Sequence, residues 1–215
     1  KLRQSVAGRK IFPSICALFM AVKDSYDFGN AECIVITDSK NYRKRPEDYT
    51  ENTAPVVISI YPKREGVCRP VVAMIPLTYG YEENWRSEAG KVRGEAYREL
   101  KKRVEAAVLS RISAHLGGDF MSTAEYHELS TPITFERYTY SQNGSYMGWS
   151  IEEQKYGKFM KQRTAIKDLF LVGQWVFPGF GIAGVMASGY YLAKEILKDE
   201  CIDLKKEMAE FKLWQ

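Results

Sequence analysis

Clustered metal ligands are what this chain most plainly lacks. Its four cysteines, Cys16, Cys33, Cys68 and Cys201, form no Cys-x-x-Cys unit, and His115 and His127 stand alone, so nothing points to a zinc, redox or structural metal site and no metal is expected. The scattered thiols read as reduced, cytosolic cysteines. No apolar run approaches the roughly 20 residues that span a bilayer, and the amino terminus has no signal-peptide layout. These absences predict a cytoplasmic chain, soluble or at most peripheral to a membrane. Charge of one sign is also missing: 31 basic residues face 27 acidic ones, and the net +4 makes nucleic acid an unexpected partner. There is no internal repeat and no low-complexity segment.

Several catalytic arrangements are absent too. No G-x-S-x-G occurs, and Ser110 and Ser188 fall in helical patterns, so serine hydrolase chemistry lacks its strained turn. Glu125, Glu128 and Glu136 are spaced to alternate between strand faces and do not form an acid and base pair. His115, at the end of a long helical pattern, and His127, in an extended one, could each donate a proton or serve as a surface or capping group.

What is present begins with a hydrophobic content of 45%, enough for a packed core, and an aromatic content of 13% that suits either that core or a large apolar substrate. Short β-branched runs at residues 15–22, 33–37, 56–61 and 71–77, each bounded by turn formers, predict strands of a mixed, largely antiparallel sheet. Residues 38–52 are polar, charged and proline-containing and predict a solvated connection. Tyr97, Leu100, Val104, Val108 and Ile112 recur at three-and-four spacing and predict a helix over 94–116, closed by Gly117-Gly118. Residues 124–129 and 133–138 read as extended around Thr131-Pro132, because proline disfavours helix at the residue before it. Residues 168–173 give a buried-strand signal, followed by a glycine loop and a helix through Val185, Gly189, Leu192 and Ile196. Residues 203–215 predict a last amphipathic helix.

Gly179-Phe180-Gly181-Ile182-Ala183-Gly184 matches G-x-G-x-x-G between that strand and helix. An ordinary Rossmann unit also needs a second parallel strand carrying an acidic residue about 20 positions on, and Asp203 sits in a charged helical pattern with no β-rich run around it. Two readings remain. Either the glycines let a ligand approach the anion-friendly N–H groups of the helix start, or they shape a tight turn while Ala183, Ala187, Ser188 and Gly189 let the helix pack closely.

Two blocks carry a resemblance. The run from Leu169 through Gly173, Gln174, Trp175, Pro178, Gly179, Gly181 and Gly184 to Gly189 is similar to the terminal motif of the phytoene desaturase, carotenoid isomerase and retinol saturase superfamily. Upstream, Ser130-Thr131-Pro132-Ile133-Thr134-Phe135-Glu136-Arg137-Tyr138 and then Asn143-Gly144-Ser145-Tyr146-Met147-Gly148-Trp149 resemble a second block of the same family. Phe180 and Ala183 stand where the bacterial carotenoid enzymes often have small residues or proline, so the substrate stays open.

The resemblance implies an α+β chain: a substrate-domain portion over residues 1–150, and over 151–215 a strand-loop-helix that completes an FAD-binding domain whose amino-terminal half is the missing partner. It implies an FAD-dependent oxidoreductase that desaturates, saturates or isomerises a hydrophobic, carotenoid- or retinoid-like substrate. Gly173 and Gln174 would lie beside the FAD ribityl and pyrophosphate, and the backbone of Gly181, Ile182, Ala183, Gly184 and Val185 would face the pyrimidine edge of the flavin. Tyr146, Trp149 and Trp175 would line a substrate channel or fill the core. Catalytic residues are not assigned. The piece in hand is expected to be inactive and not to retain FAD; the alternative is a non-catalytic binding module derived from such an enzyme.

Overall fold

Alternating burial along three strands sets the architecture of the larger part of the chain. The computed structural model describes residues 6–38, 40, 44–87, 92–117, 119–151 and 159–202. It divides into two units, Pro13–Tyr146 on one side and Lys1–Phe12 with Met147–Gln215 on the other. The first unit holds an antiparallel sheet of β1 (Cys16–Val22), β2 (Cys33–Ile36), β3 (Val56–Ile60), β4 (Arg69–Ile75) and β5 (Ala124–Ser130), in the spatial order β2-β3-β4-β1-β5.

Val56, Ile58 and Ile60 of β3 point to the core and alternate with half-buried Val57 and Ser59; Val71, Ala73 and Ile75 of β4 do the same. Register brings these positions into line, so that Ile34, Ile58, Ala73, Leu18 and Leu129 form one row across all five strands. A one-residue slip would turn the whole row to the opposite face, which is why the pattern fixes the pairing. The same buried cluster takes in Tyr97, Leu100, Val104, Val108 and Ile112 from α1 (Glu95–Leu116). Helix and sheet thus make the two layers of an α+β unit, as the sequence predicts. Gly117 ends α1 with φ of +108°, a conformation that favours glycine. Strand β5 closes one edge and buries only Leu129; charged Glu125 and Glu128 stand on it, as edge strands require.

Two expectations for this unit are corrected. Residues 133–138 are not extended but lie in α2 (Pro132–Thr139). The proline rule acts on Thr131 alone, whose extended backbone (φ −97°, ψ 167°) is what a helix N-cap adopts; Pro132 sits at the first helical position, and the Thr131 hydroxyl accepts from the Thr134 N–H at 3.4 Å. The connection over 38–52 is not wholly solvated either, because Tyr49 and Glu51 are buried. Glu51 accepts a hydrogen bond from the Tyr81 hydroxyl and an ion pair from Arg103 at 3.2 Å, while Arg111 donates to the carbonyls of Glu51 and Ala54 at 2.8 and 2.6 Å. Burial, reinforced by the Glu51 carboxylate, pushes the Tyr81 phenol up to about 12. Nearby, Glu82, Glu83, Asn84, Trp85 and Arg86 all have positive φ, between 40° and 60°. This left-handed turn is held by buried Trp85, whose Nε1 donates to the Thr78 carbonyl at 3.1 Å.

In the second unit, Phe12 N–H donates to the Gly148 carbonyl and Ser150 N–H to that of Lys10, at 2.7 and 2.9 Å. The helix expected after the glycine loop is α3 (Gly181–Asp199). The expected buried strand over 168–173 is corrected: its only ladder contact among the described residues is an isolated bridge from Phe170 to Arg163, and Val172 is 57% exposed. An apolar run becomes a buried strand only where neighbours flank it, and none does so among the described residues. The helix expected over 203–215 lies outside the described residues. No helix among the described residues is long and apolar enough to cross a membrane.

Candidate functional site

All seven residues singled out as cofactor-binding lie in the loop that feeds α3 and in the first five residues of that helix. The loop is tied to the helix by one hydroxyl. Ser188, buried on α3, accepts from the Gly173 N–H at 3.1 Å and from the Gln162 amide at 3.0 Å, while the same Gln162 nitrogen reaches the Ser188 carbonyl at 2.6 Å. Gly173, at φ +109°, therefore has its N–H engaged within the chain. Gln174 is half-buried, and its carbonyl lies where a Cβ on Gly148 would come within 2.7 Å, so only glycine at 148 allows the two loops to meet.

The start of α3 is different in kind. Its N-cap, Phe180, supplies no side-chain hydrogen bond, no acidic residue stands in the first turn, and Gly181, Ile182 and Ala183 are exposed. The first N–H groups of a helix have no partner inside it, and here no side chain of the described residues caps them. Gly181 has φ of +81° with nothing within 4 Å of where a Cβ would stand, whereas a Cβ on Gly184 would meet the Gly179 carbonyl oxygen at 3.0 Å. The two glycines thus serve separate ends: Gly184 lets the loop carbonyl pack on the helix, and Gly181 leaves open the place of a side chain at its exposed start. The positive end of the helix dipole faces that space without a counter-charge in the first turn. An anionic or polarised ring edge fits such a start.

From its first turn onward the helix shows apolar side chains to the outside. Ile182 is 84% and Met186 71% exposed, and Val185, Tyr190 and Tyr191 are exposed too. Singly exposed apolar residues need no explanation, but a helix face of them does.

Of the three aromatic residues placed along a substrate path, Trp149 and Trp175 come together. Their ring centroids are 4.9 Å apart at 79°, and Trp149 Nε1 donates to the Trp175 carbonyl at 2.8 Å. Tyr146 belongs to the other unit, half-buried, with its phenol raised by burial. His127 Nδ1 lies 2.8 Å from a Glu105 carboxylate oxygen at the surface, and Glu125 pairs with Lys23 at 3.7 Å and accepts from the Cys68 thiol at 3.1 Å. Glu136, which stands on α2 and not on a strand, accepts from the Asn143 N–H at 3.2 Å. Among the described residues no three metal-ligating side chains cluster. Gln162 was not legible as part of the site: it lies 26 positions from Ser188, and no local pattern marks it.

No protein-family model matches the chain. Three curated proteins are similar to it. Prolycopene isomerase 1, chloroplastic, from an Oncidium hybrid cultivar is 29% identical over 125 residues, which is 57% of this chain and 20% of that protein. Prolycopene isomerase, chloroplastic, from Daucus carota is 28% identical over 130 residues, 60% of this chain and 20% of the relative. Prolycopene isomerase 2, chloroplastic, from the same Oncidium cultivar is 29% identical over 119 residues, 54% of this chain and 19% of that protein. The matched stretch thus spans about a fifth of each of these relatives. The resemblance to carotenoid isomerases stands on these likenesses as well as on the motifs.

Proposed function

We propose that the chain is the carboxy-terminal part of an FAD-dependent oxidoreductase that acts on a hydrophobic, carotenoid- or retinoid-like substrate by desaturation, saturation or isomerisation. The observation that carries this reading is the start of α3: without a side-chain cap, exposed, free of acidic residues in its first turn, and opened by a glycine, at φ of +81°, beside which the place of a side chain stands open. Gly181, Ile182 and Ala183, whose N–H groups open the helix, would hold the flavin at its pyrimidine edge, while Gly184 and Val185, whose N–H groups bond within the helix, would shape the surface behind them. Flavin, when bound, supplies hydride acceptance or donation. The part of this chain is electrostatic: a helix start favours the negative charge that gathers at this edge on reduction.

Gly173 and Gln174 take a narrower role than direct contact through their N–H groups would give them. With the Gly173 N–H committed to Ser188, that residue contributes a side-chain-free surface and its place at the bend, and Ser188 with Gln162 fixes where the loop runs. The exposed apolar face of α3 would be covered by the amino-terminal FAD-binding half, which is the partner this reading requires. The paired Trp149 and Trp175 would wall a path for the apolar substrate, and Tyr146, in the sheet unit, would serve the substrate from its own unit. The domain reading keeps residues 1–150 with the substrate and 151–215 with the flavin, in a cytoplasmic setting with peripheral membrane contact.

The test is the coding sequence together with colour. The reading frame should extend upstream through a strand followed by its own G-x-G-x-x-G, and its full product should purify with flavin, while the 215-residue chain alone should be colourless. A frame that opens near Lys1 would favour the non-catalytic binding module instead. Stoichiometric flavin absorbance on the isolated chain would contradict the division of the cradle between two parts.

A further inference from the structure

The sheet unit contains a second feature that the flavin reading does not use. Between α1 and α2 lies an open cleft of about 1130 Å³. Its floor is apolar, formed by Tyr97 and Ile133, which are 3% exposed each. The Tyr97 hydroxyl is spent within the unit on Thr131 Oγ1, at 2.8 Å, so the ring and not the hydroxyl is what the cleft is offered.

Around this floor stand four cations, Arg93, Arg98, Lys101 and Arg137, against one carboxylate, Glu136. Two of the cations are compensated nearby. Arg98 pairs with Glu95 at 3.2 Å and Lys101 with Glu128 at 3.4 Å, both at exposed or partly exposed sites where such pairs contribute little. Arg93, with its guanidinium 5.9 Å from the Tyr97 ring centre, and Arg137 have no carboxylate partner among the described residues. The rim is finished by aromatic rings that face water: Tyr138 is 71% and Tyr140 91% exposed. Apolar floor, cationic wall and aromatic lip are the three surfaces that an apolar tail with one anionic head would match. A neutral polyene would leave the guanidinium groups idle, and a bare anion would leave the floor and the lip idle.

We infer that the α1–α2 cleft binds a monomeric amphipathic ligand, an apolar chain ending in a carboxylate or a phosphate monoester, with Arg93 and Arg137 on the head group and Tyr97, Ile133 and Tyr138 along the chain. The tail runs from the Tyr97 and Ile133 floor toward Tyr138, and the head turns to the two arginines, one of which, Arg93, already stands over the Tyr97 ring. The inference does not depend on the flavin reading, since every residue in it belongs to the sheet unit.

The experiment uses the 215-residue chain and the fluorescent polyene fatty acid cis-parinaric acid below its aggregation concentration, with far-UV circular dichroism and a thermal melt on every variant. Saturable binding to one site is expected, with hexadecyl phosphate as a competitor. The methyl ester of the probe should bind at least tenfold more weakly, and Arg93→Ala with Arg137→Ala should weaken the acid by about tenfold per guanidinium while leaving the ester unchanged. Tyr138→Ser, on an exposed side chain that folding does not need, should weaken acid and ester alike. Equal affinity for acid and ester, or an arginine variant that binds like the parent, would overturn the inference by showing plain apolar adsorption. Competition by inorganic phosphate alone at similar concentration would overturn it in favour of a bare anion site. Binding seen only with anionic phospholipid vesicles, and not with monomeric probe, would overturn it in favour of a membrane surface.

Discussion

Gly184→Ala and Gly189→Ala make the same chemical change on the same helix and should have different effects. In the interior of a helix alanine is favoured over glycine by about 1 kcal/mol, because glycine loses more backbone freedom on folding. At Gly189 no atom beyond its chain neighbours and the helix's own backbone lies within 4 Å of the added Cβ, so that gain is realised and Gly189→Ala should stabilise the second unit by about 1 kcal/mol. At Gly184 the Cβ would stand 3.0 Å from the Gly179 carbonyl oxygen and 3.3 Å from its carbon. That loop must yield by a few tenths of an ångström, although Gly173, Ser188 and Gln162 hold its upstream end. Overpacking of this kind costs about 1–3 kcal/mol, so Gly184→Ala should range from neutral to about 2 kcal/mol destabilising. The two variants should therefore differ by about 1–3 kcal/mol in urea unfolding, or by several degrees in a thermal melt. Hydrogen exchange along α3 assigns the change to this unit, since the two units need not unfold together. Equal stabilisation by both alanines would show that the Gly179 carbonyl does not press on residue 184, and the packing role of that glycine would fall.

Thr131→Ala removes the N-cap of α2 and the partner of the Tyr97 hydroxyl, and should cost about 1–2 kcal/mol by chemical denaturation, with no effect on α3 exchange. Glu83→Gly relieves one position of the left-handed turn, at φ 52°, and should stabilise the sheet unit by about 1 kcal/mol; a destabilised variant would mean the turn is not left-handed. Glu82 is held below the ordinary glutamate value of 4.5 by its hydrogen bond and ion pair with Arg103. A carboxyl depressed in the folded state binds its proton more weakly than in the unfolded chain. Its contribution is therefore present above the unfolded value and fades as pH falls through the folded one. Glu82→Gln should accordingly flatten the acid limb of the stability curve below about pH 4.5 and leave its neutral shape alone.

The sheet and α1 were legible because each rests on a period that needs no partner to be read: two along β1, β3 and β4, three and four along α1. What misled was context. Pro132 speaks only for Thr131, yet it suggested extended backbone for the residues after it, when an extended residue followed by proline is also how a helix begins. The run at 168–173 has the composition of a buried strand, but burial is a property of neighbours and not of the run itself. Tyr49 and Glu51 lie in a polar stretch and are buried, and Glu51 is held there by Tyr81, Arg103 and Arg111, residues 30 to 60 positions away that no local pattern connects to it. At the candidate site the glycines were legible as a set, while their division of labour needed coordinates: only the atoms around each Cβ position separate Gly184 from Gly181.

If the start of α3 receives the flavin, a side chain at Gly181 should block it. In the protein translated from the complete reading frame, Gly181→Leu should abolish flavin retention. Gly29→Leu, which carries comparable backbone strain at φ +59° and also has open space around it, should purify with flavin like the parent. If the Gly181 variant is folded and keeps the parent's flavin stoichiometry, the helix start does not hold the cofactor.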